Sequence, residues 1–408
     1  MSLADDAKLL LIPTGYKSSK VYSVFPTDGD GDFTYIRSGN ASRVNPGGLI
    51  ETVSDNIPRI DHFGGGCPTL LLEPQRTNLY YDSTGWNGLS KVNITFTDTT
   101  NIIAPDGTVD DVKLMTATST NQPRFDEAIS VPGIDKKYTT SVFVKKNTGR
   151  YVSIGHFSDS INAAIFDLDN GSIHYQHPLS LGLAKIENYG NGWYRISLPM
   201  QITAGAAYNV HKILLSDGVN WYTGTVGDSI YCWGFQIEEG EYLTSYIKTS
   251  GSIMTRYKDE CINGGDSDLF DITEGTFFVD TTPFTREATD RITLSNNNYN
   301  NRILISKANS TQLQFIIVSN NSTVATYTTN INYNVRNKIA FTFKENQFKF
   351  YLNGSLVHTD TSGSVPTGLN DLSFKGIGSA LYWSGKIHDT RVYDRVLTEA
   401  EAIELTTL

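Results

Sequence analysis

The stretch Lys338-Ile339-Ala340-Phe341-Thr342-Phe343-Lys344, then Gln347-Phe348-Lys349-Phe350-Tyr351-Leu352-Asn353-Gly354-Ser355-Leu356-Val357-His358-Thr359, decides the class of fold. Two apolar-rich runs of strand length flank a short polar gap, and an Asn-Gly pair leads into a third. Asn-Gly between alternating strands is a strong signal for a two-residue hairpin, because both central residues take positive φ. Working outward, the same texture runs through Gly275 to Thr281, Arg302 to Lys307, Gln312 to Ser319 and Ser322 to Thr328. Only the tail departs from it. Thr398 can cap a helix, Glu401 three residues on completes a capping box, and Leu397, Ala400, Ile403 and Leu405 supply a packing face.

Upstream, residues 78 to 256 also read as short strands between turn signals. Thr139 to Lys145 alternates, as do Tyr151 to His156 and Gly192 to Pro199. Ser229 to Ile237 puts Ile230, Cys232, Gly234 and Gln236 on one face against Tyr231, Trp233, Phe235 and Ile237 on the other. Strands without intervening helices imply a β-sandwich, a jelly roll by preference. Residues 1 to 77 differ. They are full of turn formers, such as Pro26-Thr27-Asp28-Gly29-Asp30-Gly31-Asp32 and Gly64-Gly65-Gly66, with scattered apolar points. The expectation is an extended arm that orders against a partner, since its backbone groups need bonds from somewhere. The fold class is therefore all-β: an arm over 1–77, a sandwich over 78–256, a linker over 257–265 and a second sandwich over 266–408, with one short C-terminal helix. Deleting 1–77 is expected to leave both sandwiches folded.

The 408 residues are too many for one ordinary core. Hydrophobic residues at 39% suffice to fill two, and 35 Gly, 22 Tyr and 19 Phe suit strands and tight turns. A formal net charge of -10 leaves no basic footprint for nucleic acid and no polybasic membrane patch. Cys67, Cys232 and Cys261 form neither a disulfide framework nor a metal spacing. The start of the chain lacks the layout of a signal peptide, so folding in a reducing cytoplasm is expected.

Several blocks resemble known families. Phe33-Thr34-Tyr35-Ile36-Arg37-Ser38-Gly39-Asn40-Ala41-Ser42-Arg43-Val44-Asn45, Gly48-Leu49-Ile50-Glu51-Thr52-Val53, Ile57-Pro58-Arg59-Ile60-Asp61 and Leu70-Leu71-Leu72-Glu73-Pro74-Gln75-Arg76-Thr77-Asn78-Leu79 resemble the N-terminal segment of bacteriophage head-spike and tail-fibre proteins. Gly192-Trp193-Tyr194-Arg195 and Trp233-Gly234-Phe235-Gln236-Ile237-Glu238-Glu239-Gly240 look like strands of the carbohydrate-binding-module-like jelly roll that follows that segment. Lys349 to Gly354 and Trp383 to Leu397 are similar to the concanavalin-A-like, laminin-G-like lectin sandwich. The resemblance implies a homotrimeric fibre or spike of a tailed-phage virion, assembled in the host cytoplasm. Its partners would be capsid or tail proteins at one end and host-surface or mucosal glycans at the other. Nucleic acid and membrane are not expected as partners. It also implies that Phe33, Tyr35, Arg37, Arg43, Arg59, Leu71, Glu73 and Arg76 serve virion attachment. No sustained heptad is present, so a trimer would be held by β surfaces.

A pyranose has an apolar C–H face, so exposed rings are the candidate glycan contacts. Trp221-Tyr222 and Tyr382-Trp383, in segments that read as loops, are the choices, the latter after Gly378-Ser379-Ala380. Asp28, Asp30 and Asp32 alternate as in a calcium loop, but Phe33 and Gly39 stand where that loop needs Gly and Glu. Asp266, Asp268 and Asp271 read as a second acidic patch, in the linker region. No cofactor or metal is expected, and a structural calcium ion has no support. No Glu-x-Asp-x-x-Glu carboxylate set and no Gly-x-Ser-x-Gly elbow is present, so no catalytic residue is assigned and the chain is not expected to be an enzyme. The alternatives are a non-binding decoration platform for other fibres and a polysaccharide depolymerase.

Overall fold

The computed structural model describes all residues except 1, 110, 130–135, 158–161, 181–183, 203–208, 271, 285–289 and 379–380. The described residues form two β-sandwiches, and the all-β class holds. The hairpin at Asn353-Gly354 forms as read: φ is 48° and 79° at the two residues, and Gln347–Leu352 pairs antiparallel with Ser355–Asp360. The terminal helix spans Glu399–Thr406. The Thr398 side chain accepts from the Glu401 backbone N–H, and the Glu401 carboxylate accepts from the Thr398 backbone N–H.

The jelly roll is made of two six-stranded sheets. One runs in the order Ser90–Val92, Arg124–Ile129, Asn209–Ser216, Tyr151–Phe157, Asn162–Asp167, Ser172–Gln176. The other runs Ile94–Asp98, Lys113–Ala117, Ser229–Glu239, Lys136–Lys146, Trp193–Ile202, Lys185–Asn188. Between them lies an apolar core that includes Phe125, Val142, Ile154, Phe166, Ile213 and Phe235. The simple alternation expected for Ser229 to Ile237 breaks at Gly234. Ser141 pairs Gln236 but Phe143 pairs Trp233, so one strand carries an extra residue, and Gly234 takes φ 63°. This bulge reverses the phase: Ile230 and Cys232 face the main core before it, and Phe235 and Ile237 after it. Trp233 turns instead to a second cluster with Phe143, Trp193 and Tyr246.

The second sandwich corrects the idea of a free arm. Its larger sheet is ordered Ser355–Asp360, Gln347–Leu352, Asn337–Lys344, Gly275–Pro283, Gly385–Tyr393, Thr69–Leu72, Ile60–Asp61, with Leu9–Leu11 also paired to Gly385–Tyr393. The free edge of Gly385–Tyr393 is thus covered twice from the N-terminal segment. Leu70, Leu71 and Leu72 lie opposite Ile387, Lys386 and Gly385, and Leu9, Leu10 and Leu11 lie opposite Val392, Arg391 and Thr390. An uncovered edge would leave a row of unpaired N–H and C=O groups. Much of the backbone of residues 2–77 finds its hydrogen bonds inside its own chain. Leu9, Leu11, Val21, Phe33, Ile60, Leu70 and Leu72 enter the same core as Phe277, Phe341 and Trp383.

The expected linker is also strand. Glu260–Ile262 pairs with Phe33–Ile36, and Gly264 bridges to Leu372 at the edge of the five-stranded sheet. Arg76–Asn78 pairs antiparallel with Met254–Arg256, where the chain enters and leaves the jelly roll. The architecture is therefore nested. Residues 1–77 and the chain after 253 build one body, and the jelly roll is inserted into it on a two-stranded stem.

The expectation that the sandwiches survive loss of 1–77 follows the same correction. Each large apolar side chain withdrawn from this core removes about 1.5–3 kcal/mol, against total domain stabilities of about 5–15 kcal/mol. A chain lacking residues 1–77 should keep a folded jelly roll and lose the second sandwich. Hydrogen exchange would show slow amides retained around 138–145 and 229–237 and lost around 275–283 and 385–393. Protection at the latter strands would restore the tether.

Candidate functional site

Tyr35, Arg37, Arg59 and Glu73, four of the residues expected to engage virion partners, meet instead at the root of the stem, buried. Arg59 is 0% exposed, and its Nε donates to Asp259 Oδ1 at 3.2 Å, its Nη1 to Glu73 Oε2 at 2.6 Å, and its Nη2 to Asp259 Oδ2. Arg256 Nη1 also lies 2.8 Å from Glu73 Oε2. Tyr35 donates its hydroxyl to Asp259 at 2.5 Å and receives an N–H from Arg37 at 3.0 Å. The Glu73 carboxylate accepts further from the Ser245 backbone N–H and hydroxyl, at 2.8 and 2.7 Å. Three separate stretches, 35–73, 244–245 and 256–259, are tied by one set of charges. Burial alone would raise the Glu73 pKa, but Arg256 and Arg59 outweigh it and hold the carboxyl well below its usual range. Phe33 and Leu71 are core residues. Arg43 is half-buried, paired with Glu51 at 2.7 Å and bonded to the Tyr16 hydroxyl at 2.6 Å. Arg76 lies over the Tyr242 ring, 5.5 Å from its centroid. Burial of Phe33, Tyr35, Arg37, Arg59, Leu71 and Glu73 corrects their assignment as contacts for other proteins, while Arg43 and Arg76 keep part of their surface exposed.

The aromatic candidates divide. Trp383 is 1% exposed, donates its indole N–H to Thr281 Oγ1 at 3.2 Å and packs in the core of the second sandwich, so it is no sugar platform. Trp221 is 9% exposed and lies on Ala163, Ile165 and Leu214, which corrects its assignment too. Tyr382 is half-buried, with the Lys258 ammonium 3.5 Å above its ring. Tyr222 alone of the four is exposed, at 44%. Ser379 and Ala380, flanking the second pair, lie outside the described residues, as does Asp271. The two acidic patches converge: Asp28, Asp266 and Asp268 together raise the pKa of Asp30. Among the described residues, no group of three His, Cys, Asp or Glu side chains is placed to hold a metal ion. No described helix is long and apolar enough to cross a membrane.

A cavity of about 380 Å³ lies where the two sandwiches and the N-terminal segment meet. Strand geometry explains its lining. Lys185, Glu187 and Tyr189 are alternate residues on and just past the edge strand Lys185–Asn188, so they share a face. The opposite wall uses alternation twice, with Lys386 and His388 on one strand, and Thr282 with Phe284 at the end of its neighbour. Asp61, Phe63 and Thr69 line it from the N-terminal segment. Phe63 and Tyr189 meet with ring centroids 4.7 Å apart. The Lys386 ammonium lies 3.0 Å from Asp61 Oδ2 and 5.1 Å from the Phe63 ring. His388 Nε2 is 2.9 Å from Thr282 Oγ1, and burial brings the His388 pKa down to about 4, so the imidazole is neutral near pH 7. Rings beside charged and hydroxyl groups give the cleft both an apolar platform and orienting polar contacts. Sequence reasoning missed it because its walls come from positions more than a hundred residues apart.

Residues 271–402 match the model of the concanavalin A-like lectin/glucanases superfamily, in its laminin-G-like form, so the C-terminal sandwich carries a lectin-type domain. No curated protein matches the chain. Among solved structures, the Ruminococcus gnavus IT-sialidase CBM40 bound to alpha2,3 sialyllactose is 18% identical, covering 34% of this chain and 84% of that one, with a TM-score of 0.29. Domain 4 of AbnA, a GH43 extracellular arabinanase from Geobacillus stearothermophilus in complex with arabinotriose, is 16% identical, covering 41% and 82%, with a TM-score of 0.30. A heptameric SAP-like pentraxin from Limulus polyphemus is 18% identical, covering 32% and 69%, with a TM-score of 0.27.

The buried charges set two expectations. Glu73→Ala leaves Arg59 and Arg256 short of a counter-charge and should cost about 3–5 kcal/mol in denaturant unfolding. The Glu73 pKa is lower folded than unfolded, so its contribution is complete above the ordinary value of 4.5 and drains away as pH falls toward the depressed one. Melting temperature should therefore fall with acidification below about pH 4.5, and Glu73→Gln should flatten that slope. An unchanged slope would place the acid sensitivity elsewhere.

Proposed function

We propose that this chain is a structural adhesion protein of a tailed bacteriophage particle, and that it holds glycans in the cleft between its two sandwiches. The observation that carries the glycan half is the cleft itself, where Phe63 and Tyr189 form a ring pair next to hydrogen-bonding groups at the border of a lectin-type domain. The virion half is supported by the blocks of residues 33–79 that resemble phage spike and fibre proteins. On this reading the chain is assembled into the virion in the host cytoplasm as a homotrimer. Its protein partners are capsid or tail subunits, and they meet surfaces other than the buried Arg59 cluster. A shallow sugar site is weak alone, and display on many trimers raises avidity by about 10²–10⁴ where geometry permits.

Binding without turnover is the favoured mode. Hydrolysis of a glycosidic bond uses a pair of carboxyl groups across the sugar. Of the cleft carboxylates, Asp61 is committed to Lys386, and Glu73 to Arg59 and Arg256. That leaves Glu187 as the one without an ion pair among the described residues of the cleft.

On a multivalent glycan array, the full chain should bind a subset of host or mucosal glycans. Phe63→Ala should lower that signal by about two- to tenfold, the loss of one good stacking contact. Tyr222→Ala should leave it unchanged. Loss of binding in the Tyr222 variant alone would move the site to the jelly-roll loop. Release of reducing ends from a bound polysaccharide would replace adhesion with depolymerisation. A particle reconstruction locating the chain at a fibre base, with no array binding, would favour the decoration platform.

A further inference from the structure

We propose that the cleft selects sugars bearing a carboxylate, with the acid group held between Lys185 and Arg195; this rests on the reading of the cleft as a glycan site. The case is one of charge accounting within the lining. Arg43 is matched by Glu51, Lys386 by Asp61, and Glu73 by Arg59 and Arg256. What is left over is Lys185 and Arg195 against the single carboxylate Glu187. A protein with net charge -10 has no general attraction for anions, so this excess of positive charge is local.

Each of the two cations is incompletely satisfied. Arg195 is 1% exposed, and its guanidinium donates to the Thr244 carbonyl at 2.8 Å and the Ser141 hydroxyl at 3.2 Å, and lies 4.9 Å from the Phe143 ring. Among the described residues its Nε has no hydrogen-bond acceptor and the side chain has no ion pair. Glu187 is directly opposite Arg195 in the strand register, yet the two carry no ion pair. A guanidinium buried on neutral acceptors alone is costly, and an anion at the cleft would offset that cost. Lys185 likewise has no ion pair among the described residues. Burial lowers its pKa, with Glu187 opposing. The register places Lys185 opposite Ser197, two residues along from Arg195, so the two cations are diagonal neighbours on one sheet face. Such positions are about 7–8 Å apart at Cα, a span that long side chains close on a carboxylate between them. Tyr189, next on that face, with Phe63 against it, provides the flat partner for the C–H side of the same ring.

The test titrates the full chain with oligosaccharides ending in glucuronic, galacturonic or sialic acid and with their carboxyl-reduced counterparts. At least one acidic form should bind about tenfold more tightly than its reduced form, as expected for a charge-assisted hydrogen bond, and the difference should shrink in high salt. Lys185→Gln should abolish the difference while binding of the reduced sugar persists, and Lys185→Arg should restore it. Equal binding of acidic and reduced forms, or a Lys185→Gln chain that keeps the preference, would overturn the proposal and leave a neutral-sugar cleft. No binding of either form would remove the glycan reading itself, and the charge preference with it.

Discussion

The Arg59 guanidinium, buried between Asp259 and Glu73, is the contact on which the rest of the molecule depends. It is reached from an Ile-Pro-Arg segment early in the chain, from a carboxylate that follows a Leu-Leu-Leu strand, and from an aspartate some two hundred residues later. Taking such ions out of water costs several kcal/mol each, and only close geometry with every remaining lone pair engaged makes the arrangement tolerable. Here the lone pairs are engaged, by Tyr35 and the Glu73 N–H on Asp259 and by Ser245 on Glu73. A group of charges this demanding gains its value through specificity. A slip in the register of any of the converging strands would bury an unpaired ion.

That cluster fixes how the sandwiches relate. The two-stranded stem of Arg76–Asn78 and Met254–Arg256 would by itself be a flexible joint. Arg256 on the stem holds Glu73 and the Thr244 and Ser245 hydroxyls, so the exit of the jelly roll is bound to the body that receives it. The cleft lies beside this lock, with Glu73 and Ser245 in its lining. Its opposing walls belong to different sandwiches and are held in place by the buried charges. Preorganisation of that kind spares a weak ligand the cost of ordering its own site.

Much of the fold was legible in the sequence where local rules govern. Asn353-Gly354 turns as it must, Thr398 and Glu401 cap as read, and the long strands fall where alternation put them. Local rules fail where tertiary contacts decide. Gly234 looks like one member of an alternating strand, and only the partner strand reveals the extra residue that reverses its phase. Residues 2–77 look like a tether because their strands are two to four residues long, too short for periodicity to register, and several, such as Leu9–Leu11, Phe33–Ile36 and Thr69–Leu72, find partners far along the chain. One signal was present and went unused. Glu73 directly after Leu70-Leu71-Leu72, and Arg59 beside Ile60, place charges at the ends of apolar runs, where a buried partner is the physical requirement. The aromatic candidates failed for the converse reason: Trp383 and Trp221 lie in loop-like sequence but have apolar surface to cover.

The nested connectivity also bears on how load passes between the two sandwiches. A sandwich added at a chain terminus is joined by one strand, and a pull on it is borne by that strand alone. A sandwich inserted through a paired stem is joined by two, and its load passes into a sheet whose edge is sealed by Leu9–Leu11 and Thr69–Leu72. The same N-terminal strands thus complete the core of the second sandwich and set one border of the cleft.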